Sequence, residues 1–305
     1  MLLGLIRSLR PQQWIKNLAV LAPAFFAGQI LNFDDWGLLA WAFVILSAAS
    51  SGSYLLNDLV DRSKDRLHPL KSHRPIASGL VPLPLAVFVG AFLLGFSIIT
   101  ASYLPTYFFL TVILFILLQL AYTIFLKRTI LLDVMTIAAT FSLRVFAGAF
   151  VLLVPLSSWL ILTTVTLALL LAIGKRRAEI TLLHHQLANR HREVLSHYPL
   201  LLLDGLTFMM AAVTIVTYSL FTFNQPEHAT RPRLADLLPQ TLANPRWLMI
   251  TIPFVIYGVF RYLYVVYEKK EGSSPERILI YDWPLLLTVL SWAAAAFFAI
   301  YLAGK

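Results

Sequence analysis

The sequence predicts an all-α fold, a polytopic membrane helical bundle of about nine transmembrane helices in one integral membrane domain, residues 1–305. Three observations predict it. Of the 305 residues, 59% are apolar and 13% charged, against roughly 45–50% and 25% in soluble domains. Mean hydropathy is +0.78. Several apolar stretches reach about 20 residues, the length an α-helix needs to cross the hydrocarbon layer. In lipid a helix satisfies its own backbone hydrogen bonds, so a single helical bundle follows. An ordinary soluble enzyme, a disordered chain and a repeat solenoid are excluded. With no cysteine there is no disulfide framework, thiolate metal site or cysteine nucleophile.

The apolar runs are 18–31, 36–56, 81–104, 105–126, 130–154, 158–174, 204–223, 247–267 and 284–303, bounded by Pro, Gly or charge. The first is short, and the third and fourth touch at Leu104-Pro105. Residues 1–10 hold too little apolar length before Pro11 for a cleavable signal peptide and read as an amphipathic lead-in. The net charge of +9 is used first for topology. Arg7, Arg10 and Lys16 precede the first run; Arg62, Lys64, Arg66, Lys71 and Arg74 follow the second. Lys127 and Arg128 follow the fourth, Lys175, Arg176, Arg177, Arg190 and Arg192 the sixth, and Lys269, Lys270 and Arg277 the eighth. Only Arg231, Arg233, Arg246 and Lys305 fall on the other face. The basic face is expected to be cytoplasmic, with the N-terminus inside and the C-terminus outside an inner (plasma) membrane. The charge implies no nucleic-acid partner; a homo-oligomer is left open.

Asn57, Asp61 and Asp65, at the end of the second run, are spaced i, i+4, i+8. They drift by about 40° per step and line one helical stripe of oxygen ligands. Such a stripe suits Mg²⁺, which takes one or two carboxylates and completes its shell with water and substrate phosphate. A solvated helix end paired with Arg62, Lys64 and Arg66 is the plainer alternative. Before the stripe, the small residues 47–53 permit close helix packing. After it come His68, Lys71, His73 and Arg74, where the cations outweigh histidines that read as solvated.

Lys175, Arg176, Arg177 and Glu179 open the loop after the sixth run. Glu179 shares a face with Lys175, and such a mixed cluster can hold phosphate and metal. The basic stretch continuing to Arg192 reads as a helix on anionic headgroups. Arg144 lies well inside an apolar span, where an unpaired charge costs several kcal/mol, so it must face a polar cavity. Asp133 is about 20° round the same helix and about 16 Å away along it, facing the same cleft. Tyr122, Lys127 and Arg128 end the preceding helix beside Asp133, where either cation could pair with it. Arg261, inside the eighth run, reads as structural and held by Glu268. Trp14 and Lys16 read as ordinary membrane anchors, and Gln13, Lys16 and Asn17 of the same donor-rich edge could also reach the mouth of the cleft.

The Asn-x-x-x-Asp-x-x-x-Asp pattern, its cationic loop and the nine runs resemble the UbiA-type intramembrane prenyltransferase superfamily over nearly the whole chain. That resemblance implies the corresponding fold, with Mg²⁺ and a diphosphate bound at the cytoplasmic side. The superfamily's second motif is normally a pair of aspartates four residues apart. Lys175, Arg176, Arg177 and Glu179 stand there instead. This departure is similar to the decaprenyl-phosphate phosphoribosyltransferase branch, as are residues 10–17, 57–65, 74–79, Leu126-Lys127, Asp133-Val134 and Arg144. The branch implies transfer of 5-phosphoribosyl from phosphoribosyl pyrophosphate to a polyprenyl phosphate, releasing pyrophosphate, toward a lipid-linked pentose donor for cell-wall polysaccharide. Carried onto this chain, Asn57, Asp61 and Asp65 would be the metal and catalytic set. Lys16, Asn17, Asp58, Lys71, Arg74, Tyr122, Lys127, Asp133, Arg144, Lys175, Arg176, Arg177 and Glu179 would be the substrate-binding set. A prenyl transferase acting on an aromatic or other small acceptor is the nearer rival; a non-catalytic transporter or scaffold is the further one.

Overall fold

The computed structural model describes residues 1–67, 71–184, 198–225, 246–268, 278, 279 and 281–303, the side chains of 182–184 excepted. His68, Arg190, Arg192, Arg231, Arg233, Lys269, Lys270, Arg277 and Lys305 lie outside the described residues. Helix is the only regular structure within them.

Eight helices are long and apolar enough to cross a membrane, matching the second to ninth runs. The first run, 18–31, is built differently. Pro11–Leu21 winds as a 3-10 helix and Ala22–Phe26 as a short α-helix, with Gly28 just beyond at φ 75°. Pro11 and Pro23 each open a segment, as expected of a residue without a backbone N–H to donate. Because a 3-10 helix rises about 2.0 Å per residue, Pro11–Phe26 covers about 30 Å without any α-helix of spanning length.

The described residues fall into two compact units. The first, over Met1–Pro155, contains α1 (Leu2–Leu9), the Pro11–Leu21 helix, α2 (Ala22–Phe26), α3 (Trp36–Val60), α4 (Arg62–Arg66), α5 (Leu83–Ala101), α6 (Thr106–Ile124) and α7 (Leu132–Leu152). Its centre is α3, which packs on α5, α6, α7 and the Pro11–Leu21 helix. Leu39, Ile45 and Leu46 of α3, Phe108 and Phe115 of α6, Ala147 of α7 and Val20 form its core. Without a hydrophobic drive between helices in lipid, close backbone approach supplies the packing energy. At Gly52 an added Cβ would stand 2.9 Å from Leu94 Cγ and 3.0 Å from Gly90 O, so α5 lies directly on α3. At Gly148 it would run into the carbonyl of Val20.

The second unit contains α8 (Ser158–His184), α9 (Leu200–Asn224), a 3-10 turn Trp247–Thr251, α10 (Ile252–Tyr267) and α11 (Trp283–Phe297). Leu170, Ala211, Val259, Tyr262, Val265 and Leu285 form its core. Arg261 is held by Asp282, not Glu268: Nε and Nη2 donate to the two carboxylate oxygens at 2.9 Å each. Glu268 lies seven residues on, about 10 Å along the helix. Asp282 is presented by the start of α11, where its side chain also accepts from Leu285 N at 3.1 Å.

Gly148→Ala is expected to lower the thermal unfolding midpoint of detergent-purified protein, by about 1–3 kcal/mol of overpacking. Gly95→Ala, where an added Cβ meets nothing within 4 Å, is expected to leave it unchanged or raised. Equal midpoints for the two variants would contradict this packing.

Candidate functional site

The stripe predicted at the end of α3 forms in register. Although α3 ends at Val60 and α4 begins at Arg62, Asp61 N bonds Asn57 O at 2.9 Å and Asp65 N bonds Asp61 O at 2.8 Å. The helical path therefore continues from Asn57 to Asp65. Cations from distant segments meet it there. Lys127, in the 3-10 turn after α6, donates from Nζ to Asp61 Oδ1 at 2.6 Å and to Asn57 Oδ1 at 3.2 Å. Arg74 donates from Nη1 to Asp65 Oδ2 at 2.7 Å and to Asp58 Oδ1 at 3.0 Å. Arg10 donates from Nη2 to the same Asp58 oxygen at 2.5 Å, and its guanidinium lies 5.0 Å from the centre of the Tyr54 ring.

Asp58, Asp65 and Lys127 are buried, whereas Asn57, Asp61 and Arg74 keep partial exposure. The exposed alternative, pairing with Arg62, Lys64 and Arg66, is not how these acids are satisfied: Arg66 Nε donates to Ala77 O at 2.9 Å, and Arg62 Nε is buried without a partner among the described residues. Arg10 has the backbone φ 55°, ψ 58°, directly before Pro11. That corner turns its side chain back toward α3, a placement with no periodic signal in the sequence.

Deeper in the unit is a second polar layer. Asn17 is fully buried; its Nδ2 donates to Ser47 Oγ at 3.0 Å and its Oδ1 accepts from Arg144 Nε at 2.7 Å. Arg144 also donates from Nη1 to Thr140 O at 2.5 Å and lies over the Phe115 ring at 4.9 Å. Asn17 is thus inside the bundle, not at the mouth of a cleft. Trp14 Nε1 donates to Ser51 Oγ at 2.9 Å, and that hydroxyl donates to Leu9 O at 2.9 Å. The small residues of α3 therefore act as hydrogen-bond partners as well as spacers. Lys16 donates to Gln13 Oε1 at 2.5 Å. Asp133 is buried in the first turn of α7 and accepts from Val134 N at 2.8 Å. Lys71 and Tyr122 are half-buried, and His73 is exposed.

In the second unit, Glu179 accepts from Arg176 Nη1 at 2.6 Å, an i, i+3 pair. Arg177 donates from Nε to Asp204 Oδ1 at 3.2 Å with its guanidinium 4.1 Å from the centre of the Tyr267 ring, and Tyr267 donates its hydroxyl to the same Asp204 oxygen at 2.8 Å. Lys175 is half-buried.

Among the described residues no three His, Cys, Asp or Glu side chains converge as a metal cage made by protein alone. The donor set at Asn57, Asp61 and Asp65 still fits Mg²⁺, which needs only one or two carboxylates when phosphate and water complete its shell.

The family model described as "UbiA prenyltransferase family" matches residues 18–281. The chain belongs to this family. A relative from Mycolicibacterium smegmatis, a decaprenyl-phosphate phosphoribosyltransferase, is 34% identical over 98% of this chain and 92% of its own length. One of the same name from Corynebacterium glutamicum is 32% identical over 98% and 87%. The solved UbiA homolog from Archaeoglobus fulgidus, bound to DMAPP and Mg²⁺, superposes with a TM-score of 0.70 at 18% identity, covering 97% of this chain and 99% of the homolog. The UbiA fold accordingly extends over 97% of the chain.

Asp58 is expected to be the shared anchor of Arg10 and Arg74. A double-mutant cycle of Arg10→Gln and Asp58→Asn, read by thermal or denaturant unfolding, should give a coupling of about 1–3 kcal/mol. Additive effects would contradict a shared anchor.

Proposed function

We propose that this UbiA-family protein transfers 5-phosphoribosyl from phosphoribosyl pyrophosphate to a polyprenyl phosphate, releasing pyrophosphate. The observation that carries the reading is the near full-length likeness to relatives named for that reaction. The site's composition supports it. One acidic stripe met by several cations suits a donor with one diphosphate and a separate 5-phosphate, plus an anionic acceptor. Two acidic stripes are not needed.

In the reaction, a phosphate oxygen of the acceptor attacks C1 of the ribose as the bond from C1 to pyrophosphate breaks, and the bonding electron pair leaves with pyrophosphate. The acceptor phosphate is already anionic near neutral pH, so no strong general base is required. The remaining tasks are orientation and stabilisation of the departing negative charge. Mg²⁺, held by Asn57, Asp61 and Asp65, would supply charge neutralisation of the diphosphate. Lys127 and Arg74 stand against those oxygens and would contact phosphate alongside them. In the first unit Lys16, Lys71 and Arg144 are the further phosphate partners in this reading, and Asp58 orients Arg74. The positive-inside rule supports the further reading that the acidic stripe faces the cytoplasm across an inner membrane, with the N-terminus inside and the C-terminus outside.

Purified protein given Mg²⁺, a polyprenyl phosphate and labelled phosphoribosyl pyrophosphate is expected to form a lipid-linked phosphoribose. Chelation should abolish product, and Asp61→Asn should remove most turnover, at least 100-fold. Product from labelled prenyl diphosphate and an aromatic acceptor, with none from phosphoribosyl pyrophosphate, would overturn the assignment. Full turnover in Asp61→Asn would overturn the metal role.

A further inference from the structure

Arg144 differs in kind from the cations at the end of α3. Arg10, Arg74 and Lys127 each meet a carboxylate at 3.0 Å or less. Arg144 is 3% exposed, and its partners are all neutral: an amide oxygen of Asn17, the carbonyl of Thr140 and the face of Phe115. Its Nη2 has no hydrogen-bond acceptor among the described residues. A buried guanidinium inside an apolar bundle normally carries a counter-ion, because taking the charge from water is otherwise uncompensated.

A second group without a hydrogen-bond partner belongs to the same unit. Ser50 is 2% exposed and its hydroxyl has no partner among the described residues. It is three residues along α3 from Ser47, which bonds the Asn17 that holds Arg144. The helices α3 and α7 run antiparallel: Lys127, just before α7, meets Asn57 near the end of α3, while Arg144, well along α7, is bridged to Ser47. Going from Ser47 to Ser50, and from Arg144 to the Thr140 carbonyl it touches, therefore leads in one direction, toward the acidic stripe. Ser50 is about 10 Å along α3 from Asn57. Unsatisfied cationic and hydroxyl groups thus occupy the layer beneath the stripe.

We propose that Arg144, positioned by Asn17 and joined by the Ser50 hydroxyl, binds a phosphate monoester. The inference rests on the phosphoribosyl-transfer reading and deepens it, since both substrates carry such a group: the 5-phosphate of the donor and the terminal phosphate of the lipid acceptor. A planar guanidinium with a free N–H edge suits a phosphate, which accepts several charge-assisted hydrogen bonds. Asn17 is neutral for the same reason, because a carboxylate there would cancel the charge offered to the ligand.

The test uses full-length protein in lipid nanodiscs, with ribose 5-phosphate and farnesyl phosphate as separate calorimetric probes and Mg²⁺ with pyrophosphate as the control. Wild type is expected to bind at least one monoester. Arg144→Gln and Arg144→Lys should weaken that probe at least tenfold, with pyrophosphate affinity held within threefold. Asn17→Asp places a counter-ion on Arg144; it should weaken the same probe at least tenfold with an unchanged or raised thermal midpoint, which a merely structural role for Arg144 would not produce. Loss of ribose 5-phosphate with a raised KM for the sugar donor assigns the donor's phosphate. Loss of farnesyl phosphate with a raised KM for the lipid assigns the acceptor's. Wild type binding neither probe, folded Arg144→Lys and Asn17→Asp binding both as wild type does, or equal loss of pyrophosphate would each overturn the proposal. Failure of the transfer reading is separate: probe binding and its loss would persist while wild type makes no lipid-linked product.

Discussion

Four oxygen-bearing side chains within nine residues at the end of a membrane helix impose the constraint on which the first unit depends: buried carboxylates must be met by cations and hydrogen-bond donors. Asn57, Asp58, Asp61 and Asp65 are met by Arg10 from the turn after α1, Arg74 from the loop after α4 and Lys127 from the turn after α6. Three separate segments are thereby fixed to one end of α3. The close approaches at Gly52 and Gly148 make this possible, since they bring α5 and the Pro11–Leu21 helix against the helices that carry the charges.

The polar groups of the first unit are graded along α3. At its end, cations and carboxylates balance one another. About three turns deeper, the Ser47–Asn17–Arg144 chain carries a positive charge balanced by no anion among the described residues. The second unit is built otherwise: Arg176 with Glu179, Arg177 with Asp204 and Arg261 with Asp282 are carboxylate pairs on or between helices. A substrate rich in phosphate is suited to the first arrangement, where partial exposure at Asn57, Asp61 and Arg74 leaves the site open to ligand.

Much of this was legible in the sequence because it depends on local period. The apolar runs gave the membrane helices, the i, i+4, i+8 spacing gave a stripe that the backbone does form, and a charge in an apolar span gave Arg144 its buried polar surroundings. What depended on tertiary contact was not legible. Arg10 pairs with a residue 48 positions away, through a left-handed backbone corner that carries no pattern. Arg261 takes Asp282 across a helix boundary in place of Glu268, and Glu179 takes Arg176 on its own helix. The first apolar run begins in the last residues of a 3-10 helix, Pro11–Leu21, and continues as a short α-helix, because Pro11 and Pro23 interrupt donation and the tighter winding lengthens each residue's reach. Ser47 and Ser51 look like packing residues, yet their hydroxyls hold Asn17 and Trp14.

Whether a divalent ion on Asn57, Asp61 and Asp65 holds the donor's diphosphate is tested most directly by electron–nuclear double resonance on protein loaded with Mn²⁺ and phosphoribosyl pyrophosphate. Strong phosphorus-31 couplings from directly bound diphosphate oxygens are expected, lost in Asp61→Asn. Absence of phosphorus coupling in the wild type, or the same coupling in Asp61→Asn, would contradict it.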